Sequence, residues 1–257
     1  MIVVMYEQHA AFESPTNIDI SIWRYMDLAK FVSMLAAEAL HFARADIMED
    51  VFEGSVSRGT REDRRHRVVQ MSDETFGKFN AKMAELGKAV QEHTYLNCWH
   101  MGEHESAAMW KIYQGGNSQS IAIRSTYRNL ITSLQDSRSI FVGTVSYVDF
   151  DTDVVPAENI YHPMFHKRKS YDYEREIRAI YADPCIIDFR PGPAEFRFTP
   201  LGSEVIPIAV SLDNLVERVY VSPKARPWFA EVVRDVVSRY GRNWPVDHSS
   251  LDCEPIF

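Results

Sequence analysis

The sequence predicts a single α+β domain with a mixed, largely antiparallel sheet flanked by helices. Three observations carry this expectation. Short alternating apolar segments of strand type are interleaved with amphipathic segments of helical period, yet not in regular β-α-β alternation. The 257 residues are 46% hydrophobic and 25% charged, an ordinary globular composition that can bury a core without disulfides or metal. No long linker and no internal repeat divides the chain, so residues 1–257 are expected to form one unit.

After a polar lead-in ending at Asn17, Ile18 to Tyr25 alternates and carries aromatics, as a strand does. Asp27 stands where an N-cap would, ahead of Leu28, Phe31, Val32, Leu35 and Leu40 at helical spacing. Leu40 to Ala43 reads as a second strand running into an acidic turn. Ser55 to Arg67, rich in Gly, Ser, Arg and Asp, is expected to be a mobile loop. Ser72 to Glu92 reads as an amphipathic helix with Phe76, Phe79, Met83, Leu86 and Val90 on one face. Tyr95 to Trp99 is a buried strand and Glu105 to Tyr113 a helix, ended by Gly115-Gly116-Asn117. Ser120 to Arg124 is a strand, Tyr127 to Leu134 a helix, and Ile140 to Phe150 one alternating strand. Further strands are expected at Glu174 to Tyr181, Cys185 to Phe189, Val205 to Val210 and Leu215 to Val221. Pro227 to Tyr240 is a closing helix with Phe229, Val232, Val233, Val236 and Val237 inward.

No apolar run approaches the roughly 20 residues of a membrane span. Met1 to Met5 is apolar but lacks the basic start and the length of a signal peptide. Cys98, Cys185 and Cys253 are odd in number and widely spaced, which suits a reducing, cytoplasmic location. The net charge of −8 excludes a broad nucleic-acid-coating surface. Nucleic acid is left only two local basic runs, Arg58 to Arg67 and His166 to Lys169. Each is either a solvated face or an anion site, and the expected partner is an anionic small molecule or nucleotide.

Five constellations could carry chemistry. Trp23-Arg24-Tyr25 puts an arginine fork on the opening strand, suited to a phosphate or carboxylate, or else to a local acid such as Asp27. Phe42 to Glu53 packs Arg44, Asp46, Asp50 and Glu53 among aromatics, as a turn with internal ion pairs would. His100, Glu103 and His104 match H-x-x-E-H, a zinc-hydrolase spacing when it lies on a helix, with Glu174 or Glu176 as a third ligand. Gly102 inside that motif and the strand running into it favour a strand-to-helix turn instead, and no metal is expected. Ser120 to Thr126 delivers Arg124, Ser125 and Thr126 to a strand end, where small hydroxyls also cap helices. Last, the basic and aromatic stretch His166 to Tyr173, with Lys167 and Tyr171, leads into Glu174 and Glu176. On a strand these two acids share one face, an arrangement suited to acid–base or electrostatic catalysis or to a salt-bridged edge.

Trp23-Arg24-Tyr25, Leu40 to Gly54, Met109 to Tyr113, Ile121-Ala122-Ile123 and the Tyr-Glu-x-Glu-x-Arg core within Lys167 to Arg178 together resemble the family called domain of unknown function 2971. These blocks span residues 18–182, with 205–257 as a C-terminal strand-helix extension. The order of Arg on the first strand, strand-end Ser and later Glu-x-Glu is also similar to ADP-ribosyltransferases. That resemblance implies NAD as co-substrate and an NAD-dependent ADP-ribosyltransferase or NAD glycohydrolase, of a toxin or phage-defence effector type. It implies that Arg24 holds the NAD phosphates, with Tyr25, Arg124, Lys167 and Tyr171 beside it. Ser125 would brace the site, while Glu176, with Glu174, would stabilise the oxocarbenium-like centre. A non-catalytic module binding a nucleotide or an RNA end stands as the alternative, and a zinc-dependent hydrolase using His100, Glu103 and His104 as the second.

Overall fold

The computed structural model describes residues 6, 12–114, 119–156, 159–183 and 198–252. Strand β1 (Ser21–Asp27) ends on Asp27, whose carboxylate accepts from the Lys30 N–H at 2.7 Å and caps helix α1 (Leu28–Ala37). Glu38 closes that helix in the left-handed conformation, φ 47°, and turns the chain directly into β2 (Ala39–Arg44). Then come α2 (Arg58–Arg67), α3 (Asp73–Glu92), β3 (Thr94–Met101), α4 (Ala107–Gln114), β4 (Ser120–Thr126) and α5 (Tyr127–Ser133). Next are β5 (Phe141–Thr144), β6 (Ser146–Val148), β7 (His166–Arg168) and β8 (Glu176–Ala182). The order ends with β9 (Val205–Ala209), α6 (Leu212–Leu215), β10 (Arg218–Val221), α7 (Pro227–Arg239) and β11 (Val246–His248).

Among the described residues nine strands form one sheet, in the order β11-β10-β4-β1-β3-β2-β9, with β8 also on β3 and β5 on β8. All its pairs are antiparallel except β10 with β11, while β6 and β7 make a separate parallel pair. This is the mixed, largely antiparallel α+β domain expected. β9 and β10, from the expected C-terminal extension, are hydrogen-bonded into the sheet itself.

The sheet is forked at β3. One edge of β3 is taken by β8 from Thr94↔Ala182 to His100↔Glu176. The other edge is divided. β1 pairs there only at Ile22↔Met101 and Trp23↔His100, and β2 only at Ala43↔Leu96 and Arg44↔Tyr95. Asn97, Cys98 and Trp99 lie between, and side chains serve this gap instead of a ladder. Arg24 Nη1 donates to the Cys98 carbonyl at 2.8 Å, and Asn97 Nδ2 to the His41 carbonyl at 2.9 Å.

Helices cover both faces. The largest apolar cluster joins Phe31 and Leu35 of α1, Leu130 of α5 and Phe229 and Val233 of α7 to Ile22, Ile121 and Ile123 of the sheet. On the other face Met109 and Trp110 of α4 pack on Trp23 and Tyr25, and Ala89 and Val90 of α3 pack with Leu96, Met164 and Ile180. Alternation along each strand thus sends one set of side chains to each layer.

Several expectations are corrected. Ser55 to Arg67 is not a loop throughout, because Ser57 Oγ accepts from the Thr60 N–H at 3.0 Å and starts α2. An i,i+4 pair, Asp63 with Arg67 at 2.6 Å, and the basic last turn support that helix. Gly59 is needed there, since a Cβ would lie 2.4 Å from the Thr152 carbonyl oxygen. Ile140 to Phe150 is broken at Val145 into β5 and β6, which pair with different partners. β8 starts at Glu176, not Glu174, after a 3-10 turn at Lys169–Glu174. His166–Arg168 is a short strand, and α6 takes up Leu215. Glu103 and His104 are exposed in a turn after β3, not on a helix, so the H-x-x-E-H spacing does not gather its side chains. Among the described residues no group of three or more His, Cys, Asp or Glu could hold a metal ion, and no helix is long and apolar enough to cross a membrane. The expected strand Cys185 to Phe189, the helix end Gly115 to Asn117 and Cys253 lie outside the described residues.

If Ser57 starts a real helix, Ser57→Ala should cost about 1 kcal/mol of stability. Amide exchange over residues 58–67 should rise with it, and unchanged protection there would mean the cap does not hold α2.

Candidate functional site

β8 carries a charge, Arg178, in the midst of its apolar residues. Ile177, Ala179 and Ile180 are fully buried, and so is Arg178. An ionised guanidinium in such a place needs a partner for every N–H. Arg178 has them. Nε donates to Glu176 Oε1 at 2.7 Å, and Nη2 to Glu176 Oε2 and Glu53 Oε2, both at 3.1 Å. Nη1 donates to Glu53 Oε1 at 2.6 Å and to the Met164 carbonyl. Glu53 arrives on a tight turn. Its N–H reaches the Asp50 carbonyl at 2.9 Å, and Gly54 follows at φ 67° with Met164 against its Cα.

Lys167 of β7 completes the cluster, with Nζ 2.5 Å from Glu174 and 3.5 Å from Glu176. Three carboxylates thus share two cations, and their environments divide them. Burial works against the Glu176 charge, but Arg178 and Lys167 outweigh it and hold this carboxyl at about 2. Glu174 bonds Lys167 but not Arg178, and burial raises its pKa although Lys167 and, more weakly, Arg178 pull it down. Burial would lower Lys167, yet Glu176 and Glu174 more than offset this and keep it protonated. Arg175 adopts the left-handed conformation, φ 41°, between the two glutamates. The acids therefore meet through a kink, not through strand alternation.

Glu174, Glu176, Lys167, Tyr171 and Tyr25 all line one cavity of about 310 Å³, with Glu53, Asp50 and Cys98. The fork in the sheet opens a second cavity of about 380 Å³, lined by Arg24, Lys30 and His41. The two adjoin, sharing Tyr25, Lys30, Met48, Cys98 and Tyr113. Tyr25 is anchored by the Ser106 N–H at 2.7 Å, and burial pushes its phenol up. Burial also pushes Tyr113 up to about 12, so both phenols stay neutral at ordinary pH. Asp50 accepts from Arg168 at 2.7 Å through Oδ1, while its buried Oδ2 has no donor among the described residues.

Two expected site residues are elsewhere. Ser125 is fully buried opposite Ile22, and its hydroxyl donates to the Leu215 carbonyl at 2.5 Å; it lines neither cavity. Thr126, not Ser125, caps α5. Arg124 sits against the Trp23 ring at 6.0 Å, bonded to Ser21 at 3.2 Å and 3.9 Å from Glu217. Sequence reasoning gave Glu53, Arg178, Cys98 and His100 no part in this site. Arg178 had a legible signal, a charge inside an apolar strand. His100 Nδ1 meets the Glu174 carbonyl at 2.7 Å, which ties the H-x-x-E-H histidine to the glutamate turn.

No family model matches the sequence, so the resemblance to domain of unknown function 2971 has no match behind it. No curated protein matches either. Among solved structures the chain is similar to DarT of Thermus sp. 2.9 in complex with NAD+, at 10% identity and a TM-score of 0.40, over 92% of this chain and 97% of that one. The same protein in complex with ADP-ribosylated ssDNA and with carba-NAD+ gives 9% identity and a TM-score of 0.40 in each case, over 93% of this chain and 97% and 98% of those. Likeness at this level assigns no residue a role.

Removing Arg178 leaves two buried carboxylates without their shared cation, so Arg178→Met should cost about 3–5 kcal/mol. The ionised Glu176 gives a second check. Its native pKa is below the ordinary value near 4.5, so its contribution is complete above that value and is lost as pH falls toward about 2. Urea midpoints between pH 6 and 2.5 should therefore fall more steeply for wild type than for Glu176→Gln; parallel curves would contradict the depressed pKa.

Proposed function

We propose that the chain transfers ADP-ribose from NAD, to an acceptor or to water, at the Glu174–Glu176 pair. The observation that carries this reading is the polarity of the two adjoining cavities. The larger has Arg24, Lys30 and His41 on its walls and no acid, which suits a pyrophosphate. The smaller sets Glu49, Asp50, Glu53, Glu174 and Glu176 against Lys30 and Lys167, which suits the cationic nicotinamide end. Tyr25 and Tyr113 stand between them, and the unpartnered Asp50 Oδ2 suits a ribose hydroxyl.

In this reading the bond between ribose C1′ and the nicotinamide nitrogen breaks, and its electron pair leaves with neutral nicotinamide. Positive charge develops at the ribose ring, and Glu176 is the anion placed to stabilise it. The acceptor's N–H or O–H, or water, then bonds to C1′ and gives its proton to Glu174. Two carboxylates pushed apart in pKa are what such a division of labour needs. Arg24, Tyr25, Lys167 and Tyr171 position the dinucleotide. Ser125 and Arg124 have no part in it, because neither faces the cavities.

The basic run His166 to Lys169 gives little support to a purely anion-binding module, since Arg168 is paired with Asp50 and Lys167 with Glu174. The test is nicotinamide release from NAD, followed with candidate acceptors and with water alone. Glu176→Gln should lower release by about 100-fold or more while the far-UV spectrum stays native. Glu174→Gln should remove the rise of rate with pH that wild type shows through the raised Glu174 pKa. Arg24→Ala should raise KM more than it lowers kcat. Wild type that fails to bind NAD, or a Glu176→Gln variant that releases nicotinamide at the wild-type rate, would remove the reading.

A further inference from the structure

A further cavity, of about 620 Å³, lies away from the carboxylates, in an open groove between α2 and α3. Arg61, Arg64 and Lys88 line it, and no acid does, although the chain has 36 acidic residues against 28 Lys and Arg. Its apolar walls are aliphatic, from Val56, Met83, Ala84, Val90, Ile160 and Pro163, with no aromatic ring for a base to stack on. Val56 and Ile160 leave 42% and 45% of their surface in water. Gly77 and Gly87 keep the α3 wall low, since a Cβ at either would meet nothing within 4 Å.

Two polar groups of this groove, on Arg64 and Asn80, are only partly satisfied. Arg64 reaches Asn80 Oδ1 at 3.5 Å and has no acidic partner among the described residues, and burial lowers its pKa. The buried Asn80 Nδ2 has no acceptor among the described residues. A half-buried guanidinium with one long hydrogen bond and an amide donor without an acceptor are best satisfied by an anion. The groove's own helices pair Lys88 with Glu92 at 3.6 Å but give Arg64 no carboxylate.

We propose that this groove binds an acyl-chain anion, with its carboxylate at Arg61, Arg64 and Asn80 and its aliphatic chain along Met83, Ala84 and Val90. A head group and chain of this kind match the charge and the aliphatic walls together, where a free inorganic anion would match only the first. The inner end of the groove adjoins the buried clamp. Gln91 Nε2 donates to the Glu53 carbonyl at 2.8 Å, and the Glu53 carboxylate holds Arg178.

Sodium decanoate below its micellar concentration is the probe, followed by calorimetry on the full chain, a readout independent of any reaction with NAD. Saturable binding of one decanoate is expected. Acetate, which has the head alone, and decyltrimethylammonium, which has the chain with the opposite charge, should bind at least ten-fold more weakly. Arg64→Gln and Gly87→Leu, the second filling open space, should each weaken decanoate at least ten-fold with the far-UV spectrum unchanged. Absent or unsaturable binding of decanoate overturns the proposal. Equal binding of the cationic probe, or affinity unmoved by both substitutions, overturns it as well.

Discussion

The burial of Arg178 constrains the rest of this structure. A guanidinium cannot shed its proton to escape an apolar surrounding, so every donor has to be met by an acceptor brought to it. β8 supplies Glu176 from two residues earlier on the same strand. The other carboxylate, Glu53, comes from a turn 125 residues away, and Met164 gives a backbone carbonyl. Three separated stretches of chain are thereby held in one register. Apolar packing alone would permit small shifts among them, because aliphatic contacts have no direction. The guanidinium fork does not permit this, since its planar geometry fixes both carboxylates.

The same clamp accounts for the unequal glutamates. Arg178 is shared by Glu53 and Glu176, and Lys167 by Glu176 and Glu174, so the carboxylates form a row with a cation in each interval. Glu176, in the middle, is flanked by both cations and is held ionised. Glu174, at the open end, has one cation and a largely buried setting, and its proton is held more tightly. Position in the row, not residue type, sets the difference. Glu174 stands in the same 3-10 turn as Tyr171, and the left-handed Arg175 leads from that turn into β8 and Glu176.

Much of the fold was legible where a local signal decided the local structure. The Asp27 cap, the amphipathic α3 and the alternating β4 each follow from residues within one or two turns of themselves. The α2 segment misled because its Gly, Ser and charge content reads as loop, while the cap at Ser57 and the Asp63–Arg67 pair favour a helix. Strand ends failed for a different reason. Val145 and Arg175 are breaks set by which partner strand is adjacent, and pairing is not local information. That Glu174, Glu176, Lys167, Tyr171 and Tyr25 line one cavity was legible because they are grouped in sequence or stand on a strand with aromatics. Glu53 could not be assigned, since its meaning depends on Arg178. Ser125 was misplaced because strand alternation turns it toward the Leu215 side, away from both cavities.

Charge is arranged against the composition of the chain. In a protein of net charge −8, two cavities have basic residues and no acid on their walls, while the one at Glu174 and Glu176 is strongly acidic. The fork in the sheet separates the first basic wall, at Arg24, from the acidic one by a single strand position, Cys98, whose carbonyl Arg24 holds. The Glu53 turn separates the second, at Arg61 and Arg64, by presenting its carboxylate inward and Gly54 and Ser55 to the groove. Low-dielectric walls between unlike potentials preserve both, since neither is screened by the other through water. A ligand with a cationic end and an anionic middle can therefore lie across the first boundary in one orientation only, with its anionic part at Arg24 and its cationic part toward Glu176.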